Sequence, residues 1–205
     1  MITLNLKSPD VAEFLGALMG DGFIGSYPGR MIQITGNKIN DKEYYLDYLI
    51  PLIKRIFNAK VNFYERSDCL RLTIYSKEIF TTIRATFDFP VGKKGNIAIP
   101  ENMLESDECK LRLIRGLFDT DGFISLQRKK YPVIAITTTS KVLALQIQEI
   151  LNQFDFGAYI CKSTQKGFKD AFRVTIFGKQ KVLKWKSLIG SSNPYHLKRI
   201  DASVA

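Results

Sequence analysis

Two aspartates one hundred residues apart, Asp21 and Asp121, stand in the same local setting. The first closes Gly16-Ala17-Leu18-Met19-Gly20-Asp21-Gly22-Phe23-Ile24, and the second closes Gly116-Leu117-Phe118-Asp119-Thr120-Asp121-Gly122-Phe123-Ile124. Each motif ends an apolar stretch with helical spacing, so each carboxylate is expected at a helix C-terminus, facing the negative end of the helix dipole. A like-charged neighbour adds to that cost. Two positions that break the same stability rule in the same way are most simply explained by a bound divalent cation. Carboxylates paired about a pseudo-twofold axis could hold metal ions on both sides of a phosphodiester and stabilise its entering and departing oxygens. A single Asp-Gly would be read as a helix stop and turn.

The elements that must position this pair are legible. Ser8-Pro9-Asp10 gives a cap, a first-turn proline and an early acid ahead of Val11, Phe14, Leu15 and Leu18; Ser106, Asp107 and Glu108 precede Leu111, Leu113, Ile114 and Leu117. Gly22 and Gly122 are expected to end the two helices. Gly16 and Gly20 are four apart, as are Gly116 and Thr120. Each helix therefore presents a strip of small residues where another backbone could approach closely. If the strips face each other, Asp21 and Asp121 meet at the bottom of the interface.

The duplication runs further. Asp68-Cys69-Leu70-Arg71-Leu72-Thr73-Ile74-Tyr75-Ser76-Lys77 aligns with Asp170-Ala171-Phe172-Arg173-Val174-Thr175-Ile176-Phe177-Gly178-Lys179, and Ile34-Thr35-Gly36 answers Ile136-Thr137-Thr138. Hairpins are expected over 23 to 27 with 31 to 36, 60 to 66 with 69 to 75, 123 to 129 with 132 to 138, and 158 to 164 with 170 to 177. Helices are expected over 41 to 57 and 141 to 154, and from 77 and 179. The order is α-β-β-α-β-β-α, twice. Phe89-Pro90-Val91-Gly92-Lys93-Lys94-Gly95-Asn96 and Pro100 break regular patterning, which puts a boundary near residue 100 between units 1–100 and 101–205.

Thirty Lys plus Arg against twenty Asp plus Glu give a formal charge of +10 in 205 residues. That charge suits a polyanion, nucleic acid or an anionic membrane surface. No apolar run approaches the eighteen or so residues of a membrane helix, and the start lacks a signal-peptide pattern. A soluble intracellular protein is expected, cytoplasmic in a prokaryotic host, with an organelle as the alternative. Cys69, Cys109 and Cys161 match neither a disulfide framework nor a zinc knuckle and are expected to be reduced packing residues. His196 is the only histidine, so a zinc or histidine-based nuclease site would lack ligands.

The strands offer a reading surface. Ile32 and Ile34 alternate with Gln33 and Thr35; Leu70, Leu72 and Ile74 with Arg71, Thr73 and Tyr75; Phe172, Val174 and Ile176 with Arg173 and Thr175; Ile124 and Leu126 with Ser125, Gln127 and Lys129. Gln and Arg can make bidentate contacts to adenine and guanine edges in the major groove. With Arg30, Arg66, Lys93, Thr137 and His196, these polar residues are the expected DNA contacts. Seven residues at about 3.3 Å each span roughly 23 Å, or about seven base pairs at 3.4 Å each, so two half-sites imply a target of at least about fourteen.

The stretches Phe14 to Gly22 and Ile114 to Gly122 resemble the two LAGLIDADG motifs of a single-chain homing endonuclease. The second fits at nearly every position. The first has Met19 where the family often has an acid, while the family's metal-binding acid is the last one, here Asp21. Gly92-Lys93-Lys94 ahead of Ile99-Pro100, and Ser192-Asn193-Pro194-Tyr195-His196-Leu197-Lys198, are similar to stretches of archaeal-type members. The resemblance covers essentially the whole chain. It implies an α+β fold of two pseudo-symmetric αββαββα repeats, each with a four-stranded antiparallel sheet, forming a saddle on double-stranded DNA. It also implies a monomeric, intron-encoded Mg²⁺-dependent hydrolase that cuts both strands of a long target. Asp21 and Asp121, with the carbonyls of Gly20 and Thr120, would hold the metal ions, and Lys94 and Lys198, with Lys93 and His196 behind them, are the candidate basic residues near each cleavage centre.

Rival readings keep or drop parts of this. An EF-hand loop registered on Gly122 puts Leu117 at the first ligand and Arg128 at the last, where an acid is required. An RNA maturase acting on intron RNA, or a DNA-binding regulator, would keep the fold without the cleavage. An intein-embedded domain is the third rival, though the chain starts with Met1 and ends Ser203-Val204-Ala205, without the residues that self-splicing is expected to need.

Overall fold

The computed structural model describes residues 4–27, 29–127 and 131–204. The chain runs α1 (Pro9–Asp21), β1 (Gly22–Gly25), β2 (Met31–Asn37), a π-helical stretch (Tyr44–Leu49) continuing into α2 (Ile50–Phe57), β3 (Asn62–Glu65), β4 (Cys69–Tyr75) and α3 (Lys77–Phe87). A 3₁₀ turn (Glu101–Met103) then leads to α4 (Asp107–Asp121), β5 (Gly122–Gln127), β6 (Tyr131–Thr138), α5 (Lys141–Gln153), β7 (Tyr159–Ser163), β8 (Ala171–Phe177), α6 (Lys179–Leu188) and α7 (Pro194–Val204). Two antiparallel four-stranded sheets result, ordered β1-β2-β4-β3 and β5-β6-β8-β7. Their registers correspond: Ile34 pairs with Leu72 in the first, and Ile136 with Val174 in the second. The fold is the expected α+β duplication.

One face of each sheet is core. Ile32, Ile34, Leu70, Leu72 and Ile74 are buried, as are Ile134, Ile136, Val174 and Ile176, while Gln33, Thr35 and Arg71 keep solvent contact on the other face. This is the period-two alternation of a half-buried sheet. Every residue of α1 from Val11 to Gly20 is buried, because α1 and α4 pack on each other at the centre. A Cβ at Gly16 would overlap the Leu113 carbonyl, one at Gly116 the Glu13 carbonyl, and one at Gly20 the Thr120 hydroxyl. The expected small-residue strips do face each other, and backbone meets backbone across them.

Several expectations are corrected. Ser106 caps α4 by accepting from the Cys109 amide, but Ser8, at the matching place, makes no side-chain cap. Gly22 and Gly122 end the helices without left-handed backbone: their φ values are −82° and −88°, and each helix passes directly into a strand. Glycine is required there for room, since a Cβ would meet the carbonyl of Leu18 or Phe118. Cys161 is exposed and so is not a packing residue, unlike buried Cys109. The repeats are not fully equivalent, because α7 follows the third helix of the second unit. Lys129 and the end of its expected strand lie outside the described residues.

Candidate active site

Because α1 and α4 cross at their glycine strips, their C-termini meet and carry Asp21 and Asp121 into one partly buried site. Burial raises the Asp21 carboxyl to a pKa of about 7, with repulsion from Asp121 and Asp41 adding and Lys94 opposing. Burial raises Asp121 to about 6, again opposed by Lys94. Desolvation and like charge both disfavour the carboxylate form, which is the electrostatic condition expected of a cation site.

Lys94, from the linker between the sheets, reaches this seam. Its Nζ donates to the Met19 carbonyl at 2.9 Å and to the Gly20 carbonyl. Burial lowers its pKa while Asp121 and Asp21 pull it back up. A cavity of about 210 Å³ beside it is lined by Gly20, Lys94, Asp121 and Thr137 among others. The structure thus brings together Asp21, Asp121, Gly20, Lys94 and Thr137. Thr120 lies across the seam from Gly20, its hydroxyl donating back to the Gly116 and Leu117 carbonyls.

Lys198 does not mirror Lys94. It is exposed on α7, and the cleft on that side is lined instead by Asp41, Thr120, Tyr195 and Arg199. Arg199 donates to the Ile124 carbonyl at 2.7 Å and to the Tyr195 hydroxyl at 2.8 Å. His196, expected on DNA, is 6% exposed and packs with its ring centroid 4.9 Å from that of Phe118. Burial and the Arg199 charge push its pKa down to about 4. Lys198 lies two residues beyond His196, which at about 3.6 residues per turn puts it on the opposite side of α7, so of the two only His196 lines the cleft.

Sequence reasoning missed Asp41. Its carboxylate raises the Asp21 pKa, accepts from the Asn37 amide at 2.7 Å and accepts from Asn193 Nδ2 at 2.8 Å. The same Asn193 caps α7, accepting from the Tyr195 amide at 3.0 Å. Asn-Pro at a helix start was the available signal for α7. Asp119, two residues before Asp121, serves structure: it is 1% exposed, accepts from the Ser191 hydroxyl and accepts from the Ser192 amide at 2.9 Å. Behind it, Glu13, fully buried, lies 2.9 Å from Arg112 Nε and accepts from the Ser192 hydroxyl at 2.5 Å.

On the outer sheet faces, Gln33, Thr35, Arg71, Tyr75, Ser125, Gln127, Thr137 and Arg173 are partly or fully exposed, as expected, and Arg66 is exposed in the β3–β4 turn, with Lys93 exposed beside Lys94. Thr73 and Thr175 lie on the same faces but are 3% and 4% exposed, because short side chains in central strands are covered by their neighbours. Arg30 precedes β2 and is exposed, with its guanidinium 6.0 Å from the ring centroid of Phe80 on α3.

Residues 108–190 match the model of the LAGLIDADG-like domain. The structure is similar to that of I-DmoI in complex with DNA and Mn, with a TM-score of 0.67 at 16% identity over 91% of this chain and 98% of that one. It is also similar to the N-terminal LAGLIDADG domain of DUF199/WhiA, with a TM-score of 0.62 at 16% identity over 92% of this chain and 87% of that one. In sequence the chain is 28% identical to part of the replicative DNA helicase DnaB of Synechocystis, across 92% of this chain and 23% of the helicase. It is 26% identical to part of the probable translation initiation factor IF-2 of Methanocaldococcus jannaschii, across 93% of this chain and 16% of that protein. The chain therefore spans less than a quarter of the curated relatives it matches.

Proposed function

We propose, from the premise that this chain is a two-domain LAGLIDADG protein, that it is a site-specific endonuclease cutting both strands of duplex DNA with a divalent cation, Mg²⁺ in the cell. The observation that carries the reading is the pair Asp21 and Asp121 at the α1–α4 seam, both held above the usual carboxylate range. The donor set fits a hard cation: two carboxylates, with the Gly20 and Thr120 carbonyls beside them, are oxygen donors of the kind Mg²⁺ takes while keeping several waters. When bound, such a cation polarises the phosphate and supplies a nucleophile at neutral pH.

The protein's own groups then have distinct tasks. Burial and mutual repulsion make the ionised forms of Asp21 and Asp121 costly, and a cation between them relieves that cost, so they favour a loaded site over an empty one. Lys94, held by the Gly20 carbonyl, would offer a positive charge to a phosphate at the seam. The outer sheet faces, one on each side of the paired acids, orient the duplex. The helicase and the initiation factor have no named activity in common, so what this chain shares with both is a unit separable from either activity. Duplex DNA rather than intron RNA is named because I-DmoI is solved with DNA. Binding without cleavage is the second reading, carried by the similarity to the DUF199/WhiA domain, a fold match whose name specifies no nuclease.

The test is incubation with Mg²⁺ and a deep library of long randomised duplexes, beside the Asp21→Asn Asp121→Asn double variant, with sequencing of the newly formed ends. One extended consensus cut on both strands only by the unaltered protein supports the endonuclease. Retained binding without cutting supports the second reading, and equal cutting by the double variant would sink the metal assignment.

A further inference from the structure

The strand registers allow the two reading faces to be compared row by row. Across the first sheet the central row on the outer face is Phe23, Gln33, Thr73 and Asn62. The corresponding row of the second sheet is Phe123, Ala135, Thr175 and Tyr159. Two amide side chains have been replaced by a methyl group and a phenol. In the neighbouring row Met31 and Tyr75 become Val133 and Phe177, the second change removing a hydroxyl, while at the strand edge Gly25 becomes Ser125.

The chemistry of the two faces follows. In the first sheet Gln33 is oriented by donating to the Thr35 hydroxyl at 3.1 Å, which leaves its amide oxygen to accept from a base edge. Gln and Asn are the side chains that pair bidentately with adenine. In the second sheet Val133 and Ala135, both buried, form an apolar floor. Tyr159 and Phe177 stack over it with ring centroids 5.5 Å apart, and Tyr159 is 38% exposed. Arg173 leans over Phe123 at 5.2 Å. A major groove laid on this face meets little that can hydrogen-bond in the central row and much that can pack against carbon. The carbon that B-DNA presents in the major groove is the thymine 5-methyl group.

We infer that the two repeats read duplex DNA by different chemistry, the first by side-chain hydrogen bonds and the second by apolar contact with thymine methyl groups, so that the half-site under β5–β8 is rich in thymine. This rests on the proposed function only in taking duplex DNA as the ligand. The positive charge of the chain, +10, supplies the backbone attraction that both halves share.

The experiment selects duplexes from a randomised pool by binding in Ca²⁺, so that cleavage is not needed. The half under the second sheet is identified by hydroxyl-radical cutting from an iron chelate on exposed Cys161 in a Cys69→Ser background. The bound consensus is then resynthesised with deoxyuridine for thymidine in one half at a time, which removes the methyl groups and leaves base pairing intact. Uracil in the second half is expected to weaken binding five- to tenfold, and in the first half less than twofold. Tyr159→Asn, which restores the residue of the first sheet at an exposed edge-strand position, should shrink the second-half penalty and favour adenine at one position. Equal penalties in both halves, or none, with duplex binding intact, would overturn the inference alone. Failure to select any duplex would overturn it together with the proposed function.

Discussion

Lys94 donates to the Met19 carbonyl at 2.9 Å, placing one linker ammonium on the last turn of α1 beside Asp21 and Asp121. That single charge offsets part of the repulsion between two carboxylates that burial has already raised to about 7 and about 6.

The metal-free protein should therefore lose stability as pH rises. An acid whose folded pKa lies above its ordinary 3.8 stabilises the fold fully below that value and loses the contribution as pH rises through the folded pKa. Asp21, Asp121 and Asp119, the last raised to about 7, all act in this sense between pH 4 and 7. Thermal melting in EDTA should show it, and Mg²⁺ should raise Tm more at pH 8 than at pH 5. Asp21→Asn Asp121→Asn should melt a few degrees higher than the unaltered protein in EDTA at pH 8, a gain of about 1–3 kcal/mol, with a smaller gain at pH 5, where the loss is only partial. A flat pH profile would contradict the burial argument.

His196 should behave oppositely. As the only histidine it gives a single resonance set by NMR, and it should stay neutral down to a pH of about 4, where an exposed imidazole would already be charged near 6.5. A midpoint near 6.5 would mean that α7 does not bury it.

Gly16→Ala and Gly116→Ala should each destabilise by about 2–4 kcal/mol, because the added methyl overlaps a carbonyl of the facing helix and the crossing must widen. Gly95→Ala, with open space around it, should change stability by less than about 0.5 kcal/mol. Urea unfolding of the three variants makes the comparison.

Much of this arrangement was legible along the chain. The acid pair, the small strips and the order of elements are local patterns that occur twice, and repetition separates signal from chance. What escaped is tertiary. Asp41 and Asn193 lie 152 residues apart and meet only because α7 folds back beside the first repeat. Thr73 and Thr175 obeyed the alternation rule, but period-two patterning sorts faces and does not measure how far neighbours overhang. Arg30 falls just before β2, where strand alternation no longer says which way a side chain points. Lys198 rests on the resemblance of its stretch to archaeal-type members, and it stands exposed on α7, a helix with no counterpart in the first repeat.

Arg112→Leu should destabilise by about 3–5 kcal/mol, because Glu13, fully buried, loses the guanidinium 2.9 Å away and is left as an unpaired charge. The Glu13→Gln Arg112→Leu double variant should recover part of the loss. Additive losses in a denaturation cycle would show that the pair is not coupled.

The crossing of α1 and α4 has a consequence for how such a protein could diversify. The helices alone fix the distance between Asp21 and Asp121, while the outer strand faces that differ between the repeats, as at Gln33 and Ala135, take no part in that contact. Under the proposed function, recognition could drift strand by strand towards new sequences while the separation of the two cuts stayed constant.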